Sequence, residues 1–425
     1  MSRYGQLPPN VSLETSEFHW KTSDEDLKAL QNLVRYSRLG PKTYENSQPD
    51  GKYGATYEWM KEAKAYWENG FDWRAVEDRL QSFPNFKVQV VDDDGSSHGI
   101  HFLALFSQKE EAIPLMCIHG WPGADPIAGS ILEFLGLLSL LQDKYSTPDQ
   151  LPYHIVVPSL PGFAFSDPPP LDRDWTLNDS ARLMHKLMVG LGFGGGYAVQ
   201  GGDIGSYAAR MMASSYDACK VNMCVITCPD QSTHGSLSIE DHERKGLERA
   251  VDFGRFGTAY AVQQSTKPAT VGFTLSASPL AMLAWIGEKF RDWTDTTPSL
   301  DEILASVTLY WLTNSFPTGI YSYRQEIADK PGQAKTQDDL ENVFRKPAKG
   351  YMFHEDPELY CRKPMGFSWF PYELGPVPKS WISTTGELVW FRYHDKRGQG
   401  GHFAALEQPE LLLEDVEDFL RQVWV

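Results

Sequence analysis

The stretch that decides the fold is Tyr197–Arg210, YAVQGGDIGSYAAR. An apolar run closes on Gly201 and Gly202, turns at Asp203, and passes through Ile204 and Gly205 into Ala-rich helical texture. Strand, sharp glycine-flanked turn and helix make the pattern of a nucleophile elbow, with aspartate in place of serine. The flanking glycines matter because the central residue of such a turn is strained, and bulky neighbours would clash across it. The competing reading of this short motif is an aspartate that merely caps its helix.

Working outward, short apolar runs recur on both sides of the elbow: FKVQVV from 86, IHFLALF from 100, IPLMCIHG from 113, YHIVVPSL from 153 and VNMCVIT from 221. The later runs alternate with helical stretches at 126–142, 177–190 and 205–217. Apolar strands alternating with helices predict a mainly parallel central sheet covered by helices on both faces. Near residue 235 the strand pattern stops. Segments 239–254, 278–293 and 299–313 read as helices, and 330–350 is polar. Strand texture resumes at GFSWF (366–370) and LVWFRYH (388–394), and an amphipathic helix over 408–423 closes the chain. Residues 1–95 read as an aromatic-rich helical arm. It has a helix capped by Ser23 and running to about Arg38, a second over 55–68, and a third after Asp72. The expected organisation is therefore an arm (1–95), a first part of the core (96–235), a helical lid (236–360) and a second part of the core (361–425).

A parallel sheet presents its ligands at the carboxyl ends of its strands, and three more segments fall there. In HGWPG, His119 to Gly123 follow a strand directly. Such a loop supplies one oxyanion-hole N–H, here that of Trp121, to pair with the N–H after the nucleophile, here that of Ile204. His119, with Gly120 and Pro122, reads as turn structure and not as a base. In GQGGHFAALEQ, His402 stands behind two glycines and ahead of the last helix, where this arrangement keeps its catalytic histidine. The carboxylate that orients it belongs after the preceding strand. Glu373 in FPYEL fits, Asp230 is a rival, and Asp395 reads as a solvated loop residue. Gly190, Gly192 and Gly195 match GxGxxG but follow a helix and precede a strand, the reverse of a dinucleotide site, so no nucleotide cofactor is expected. His354 opens HEDPE, which is not a zinc motif, and no metal is expected.

Aspartate as nucleophile narrows the chemistry. Serine attacking a saturated carbon would leave an ether, which histidine and water cannot hydrolyse. Aspartate leaves an alkyl ester, whose carbonyl water can attack when His402 takes its proton. The electrophile is then an epoxide or an alkyl halide. Halide release calls for N–H donors, often from the side chain after the nucleophile, and Ile204 has none. An epoxide oxygen calls for an acid, and Tyr260, Tyr310, Tyr321 and Tyr323 supply phenols within the lid. Composition does not choose among the four. A haloalkane dehalogenase and a non-catalytic binding protein of the same fold are the alternatives.

Composition limits the partners. The 425 residues carry 39 Lys and Arg against 56 Asp and Glu, a net charge of −17, which argues against nucleic acid or an anionic membrane surface. Five cysteines, an odd number scattered through apolar runs, fit buried thiols in a reducing compartment. The first twenty residues contain no apolar stretch of the signal-peptide kind, and ILEFLGLLSLLQ (131–142) is too short to span a bilayer. The expectation is a soluble, cytoplasmic protein without a membrane anchor, whose aromatic-rich arm and lid would suit a homodimer.

The segments HGWPG (119–123), GGDIG (201–205), GTAYAVQQSTKPATVGF (257–273), SPLAMLAWIGEKF (278–290), FPYELGPVPKSW (370–381) and GGHFAALEQPELL (400–412) occur in that order. Together with FDWRAVEDRLQSFPNF and IHFLAL upstream, they make residues 15–425 resemble the microsomal-type epoxide hydrolase family, especially its soluble fungal members. The resemblance implies an α/β-hydrolase fold with a helical lid and an embracing arm. It implies hydrolysis of a small apolar epoxide by water, with no cofactor. Its nucleophile falls on Asp203, its base on His402 and its relay acid, Asp or Glu in this family, on Glu373. Its two lid acids fall on Tyr260, ahead of QQSTKP, and on Tyr323, ahead of Arg324. Tyr321 is the neighbour with which Tyr323 is most easily confused.

Overall fold

Along each inner strand, successive side chains point to opposite faces of the sheet, and here both faces are apolar. In β3 (Ser97–Leu105), Phe102 and Ala104 join one buried cluster while Leu103 and Leu105 join another. In β4 (Ile113–Ile118), Met116 and Ile118 join the first and Leu115 and Cys117 the second. The computed structural model describes residues 3–122, 131–224, 236–326, 357–394, 398 and 400–424. Among these, one sheet is formed by β1 (Thr15–Glu17), β2 (Asn85–Val91), β3, β4, β5 (Tyr153–Pro158), β6 (Tyr197–Gly201), β7 (Cys219–Cys224), β8 (Cys361–Trp369) and β9 (Gly386–Tyr393), in the order β1-β2-β3-β5-β4-β6-β7-β8-β9. Neighbours from β1 to β5 are antiparallel, and every pair from β5 to β9 is parallel.

Helices cover the two faces. Leu177–Met188 and Asp203–Ser215 pack on one cluster, through Leu183, Met184, Leu187, Ala208 and Ala209. Leu135–Lys144 and Pro409–Val423 pack on the other, through Leu138, Leu141, Leu412, Val416 and Phe419. Burying each of these larger side chains is worth ~1.5–3 kcal/mol, so the closing helix alone anchors the last strands firmly.

Between β7 and β8 the chain inserts the helices Asp241–Asp252, Ala259–Thr266, Pro268–Ser276, Pro279–Trp293 and Leu300–Thr313. The polar stretch 330–350 lies outside the described residues. The arm docks on this insertion. Trp59 packs against Gly287, the Arg291 guanidinium lies 5.1 Å from the Trp59 ring centre, and Tyr66 donates to Asp301 at 2.8 Å. Trp59 and Tyr66 of the arm are thus docking surface, whereas Tyr36, Tyr44 and Tyr53 are exposed.

Two expectations need correction. The stretch 1–95 is not purely helical: β2 is the strand expected from FKVQVV, β1 adds a further strand, and a boundary at 95 falls inside the turn joining β2 to β3. The strand β1 is a three-residue polar edge element, TSE, without an alternating apolar pattern to reveal it. The expected helix at 126–142 is a 3-10 turn over Ile131–Phe134 followed by a helix from Leu135, with 126–130 outside the described residues. Cys117, Cys219, Cys224 and Cys361 are buried free thiols. No single helix among the described residues is long and apolar enough to cross a membrane.

Candidate active site

Four strand ends converge at the carboxyl edge of the sheet. After β6, Asp203 takes a left-handed backbone (φ 49°) and begins the helix Asp203–Ser215. Close approach explains the glycines around it. A Cβ on Gly205 would lie 2.3 Å from the Ile118 carbonyl oxygen, and one on Gly120 would lie 2.3 Å from the Asp203 Cβ. The loop after β4 therefore presses against the elbow. Its Trp121 N–H donates to Asp203 Oδ1 at 2.6 Å. Ile204 is the second residue of the elbow helix, so its N–H is one of the first-turn donors without an intrahelical acceptor. Trp121 thus offers one amide to the Asp203 carboxylate, and Ile204 carries a second free donor in the first turn of the adjoining helix. The Trp121–Pro122 peptide is cis. His119 Nε2 accepts from the Leu160 N–H at 3.0 Å, and burial lowers its pKa to about 4, so the ring is a neutral strut of the loop.

After β8, Glu373 turns into the site and is buried. After β9, the loop of His402 lies beside it, tied by a bond from Tyr372 N–H to the Gly400 carbonyl at 3.3 Å. His402 Nδ1 lies 2.5 Å from Glu373 Oε1, which also accepts the Leu374 N–H at 2.6 Å. On the opposite edge of the ring, His402 Nε2 lies 3.2 Å from Asp203 Oδ2. The imidazole is fully buried between two carboxylates. Burial by itself opposes its positive charge, but Glu373 and Asp203 together outweigh that and push the His402 pKa up to about 10. At neutral pH the resting ring is therefore an imidazolium.

The lid supplies the facing wall. Tyr260, on Ala259–Thr266, stacks on the Trp121 ring at 5.3 Å between centres (12° between planes). Tyr323, in the 3-10 segment Ile320–Glu326, meets the same ring edge-on at 5.3 Å, and the two tyrosine rings are 5.8 Å apart. Trp121 is thus placed by its amide against Asp203 and by its indole against both phenols. Tyr321 is turned elsewhere, with its hydroxyl 2.7 Å from that of Ser180. Tyr310 is buried beside Phe316. Its hydroxyl has no hydrogen-bond partner among the described residues, and burial, with Asp203's charge, raises its pKa.

Three neighbours were not among the expected site residues. Trp293, at the end of Pro279–Trp293, sets its ring edge-on to His402 at 5.1 Å and tilted against Tyr260 at 5.2 Å. Lys289, one turn earlier, lies 4.8 Å from the centre of the Tyr260 ring. Arg249 Nε, from the first lid helix, donates to the Glu373 backbone carbonyl at 2.9 Å. Single-sequence patterning does not mark Trp293 and Arg249, which act across the lid–core boundary, or Lys289, whose contact with Tyr260 joins two lid helices. Asp230 and Asp395, the other carboxylates considered, and Gly123 lie outside the described residues. Among the described residues, no three His, Cys, Asp or Glu side chains are grouped to hold a metal.

Known proteins resemble this chain along most of its length. The family model described as "Epoxide hydrolase N terminus" matches residues 15–126, and that of the "alpha/beta hydrolase fold" matches residues 113–336. The structure of Aspergillus niger epoxide hydrolase is 43% identical in sequence, with a TM-score of 0.85, over 99% of this chain and 100% of that one. Epoxide hydrolase 1 of Oryctolagus cuniculus is 29% identical over 95% of this chain and 88% of its own length. Juvenile hormone epoxide hydrolase of the silkworm Bombyx mori shares the fold, with a TM-score of 0.78 at 22% identity, over 100% of this chain and 99% of that one.

Proposed function

The chain belongs to the epoxide hydrolase family, with an α/β-hydrolase fold, and from that premise we propose that it opens epoxides through a covalent ester on Asp203. The observation that carries this reading is the His402 ring, clamped between Glu373 Oε1 at 2.5 Å and Asp203 Oδ2 at 3.2 Å. One carboxylate orients the base and the other is within its reach. Trp121 holds Oδ1, so Oδ2 is the oxygen left to attack.

In the first step, the Asp203 Oδ2–carbon bond forms as the epoxide C–O bond breaks. The departing oxygen takes a proton from Tyr260 or Tyr323. Esterification removes the charge of Asp203, one of the two influences that hold the extra proton on His402. That proton neutralises the tyrosinate and leaves His402 a base. In the second step, Nε2 takes a proton from water, the hydroxide adds to the ester carbonyl, and the N–H groups of Trp121 and Ile204 hold the resulting oxyanion. Collapse releases the vicinal diol, its oxygen reprotonated by His402. The new Asp203 carboxylic acid then returns its proton to His402, restoring the resting ion pair. No cofactor enters the balance. The aromatic wall of Trp121, Tyr260, Trp293 and Tyr323 suits an epoxide bearing an apolar aryl or alkyl group.

His402→Gln tests the assignment. Turnover should fall by ~10²–10⁴-fold, and the intact protein should gain the mass of one epoxide, located on the Asp203 peptide. Loss of turnover with no adduct, or an adduct elsewhere, contradicts it.

A further inference from the structure

Glu407 lies five residues beyond His402, at the end of the short helix Ala404–Glu407, and the reaction scheme gives it no part. Its two carboxylate oxygens face two different parts of the molecule. Oε1 accepts from the Gly401 N–H at 3.0 Å and the Phe403 N–H at 3.3 Å, the amides immediately before and after His402. Oε2 accepts from the Asp295 N–H at 2.7 Å and the Thr296 N–H at 3.4 Å, where the lid helix Pro279–Trp293 has just ended. The remaining amide of the loop, that of His402 itself, donates to the Trp293 carbonyl at 3.1 Å. Three consecutive amides of the catalytic loop are thus satisfied at one seam, two by Glu407 and one by the lid.

The seam is tight. A Cβ on Gly401 would lie 2.7 Å from the Trp293 carbonyl oxygen and 3.0 Å from both the Asp295 nitrogen and Glu407 Oε1. Burial raises the Glu407 pKa to about 7 against the pull of the four N–H donors. A carboxylate kept in so unfavourable a place is a common mark of a functional site.

We propose that Glu407 is a positioning residue that staples the His402 loop to the lid and so fixes Nε2 relative to the Asp203 ester. It touches neither substrate nor reacting atoms. Its effect falls on the hydrolytic step, because that step alone requires a water, Nε2 and the ester carbonyl to be aligned together. Misplacement of a catalytic group by about 1 Å costs on the order of 10²-fold. The inference rests on His402 as the base, so His402→Gln is measured in parallel.

Glu407→Gln keeps one acceptor oxygen and the side-chain volume but gives up acceptance on the other arm. Rapid mixing with excess epoxide, followed by acid quench and intact mass, reads ester formation and ester decay separately. The expected result is decay slowed about 10–100-fold, formation changed less than about twofold, and ester accumulating as it does in His402→Gln. Gly401→Ala, which wedges the same seam from the opposite side, should reproduce the split should the glutamine variant fail to fold. Three outcomes overturn the proposal. They are both rates unchanged, both rates falling in proportion together with the melting temperature, and no ester in His402→Gln, which removes the base itself.

Discussion

On the core side of the site, Asp203, Glu373 and His402 sit at strand ends and are fixed by polar contacts of 2.5–3.2 Å to one another and to backbone amides. On the lid side, Tyr260 and Tyr323 are fixed by rings packed on rings, with centres 5.2–5.8 Å apart. The core wall is held by directional polar contacts; on the lid wall ring packing is joined by the Lys289 cation over Tyr260. The difference follows from the chemistry assigned to each. A base must meet a water and a carbonyl along defined lines, whereas a phenol donating to an epoxide oxygen needs only to face it within hydrogen-bond reach. Trp121 belongs to both walls, through its amide and its indole.

If the two walls serve different steps, their variants should fail differently. The larger effect is expected from the lid. Tyr260→Phe and Tyr323→Phe should each slow ester formation by ~10²–10⁴-fold, the pair together more than either, and no ester should accumulate at steady state. Ester accumulation in a tyrosine variant would break the comparison, because the phenols would then serve hydrolysis. Quenched-flow mass spectrometry reads both.

A smaller effect tests the electrostatics of the core wall. His402 has its pKa raised to about 10 from an ordinary 6.5, so the folded state binds its proton more tightly than the unfolded chain does. The stability this contributes is fully present below about pH 6.5 and is lost as pH rises from there through about 10. Melting temperature should fall across that window in the unmodified protein, and the fall should be shallower in His402→Gln. Equal slopes would mean that the ring is not an imidazolium between two carboxylates.

The same contrast explains what the sequence revealed. Asp203, His402 and Glu373 follow strands at the edge where parallel sheets gather ligands, and glycines mark the close approaches around them, so pattern and topology pointed to them together. The parallel order of β4 to β9 was legible for a related reason: strands buried on both faces are continuously apolar. Tyr260 and Tyr323 could not be singled out by pattern. A tyrosine on a helix has many uses, and only resemblance separated them from Tyr310 and Tyr321. Trp293, Arg249 and Glu407 were illegible because each acts across the seam between insertion and sheet, and Lys289 because its contact with Tyr260 joins two helices of the insertion. The polar strand β1 was missed because its pairing with β2 is a tertiary event with no local signature.

The covalent ester on Asp203 can be tested by isotope transfer. Enzyme in excess over epoxide completes a single turnover in ¹⁸O-water, after which the diol and the Asp203 peptide are weighed. The diol should carry no ¹⁸O and the Asp203 carboxylate one ¹⁸O, because Oδ2 leaves with the product and water replaces it. A labelled diol with an unlabelled Asp203 would mean that water attacks the epoxide directly and that no ester forms.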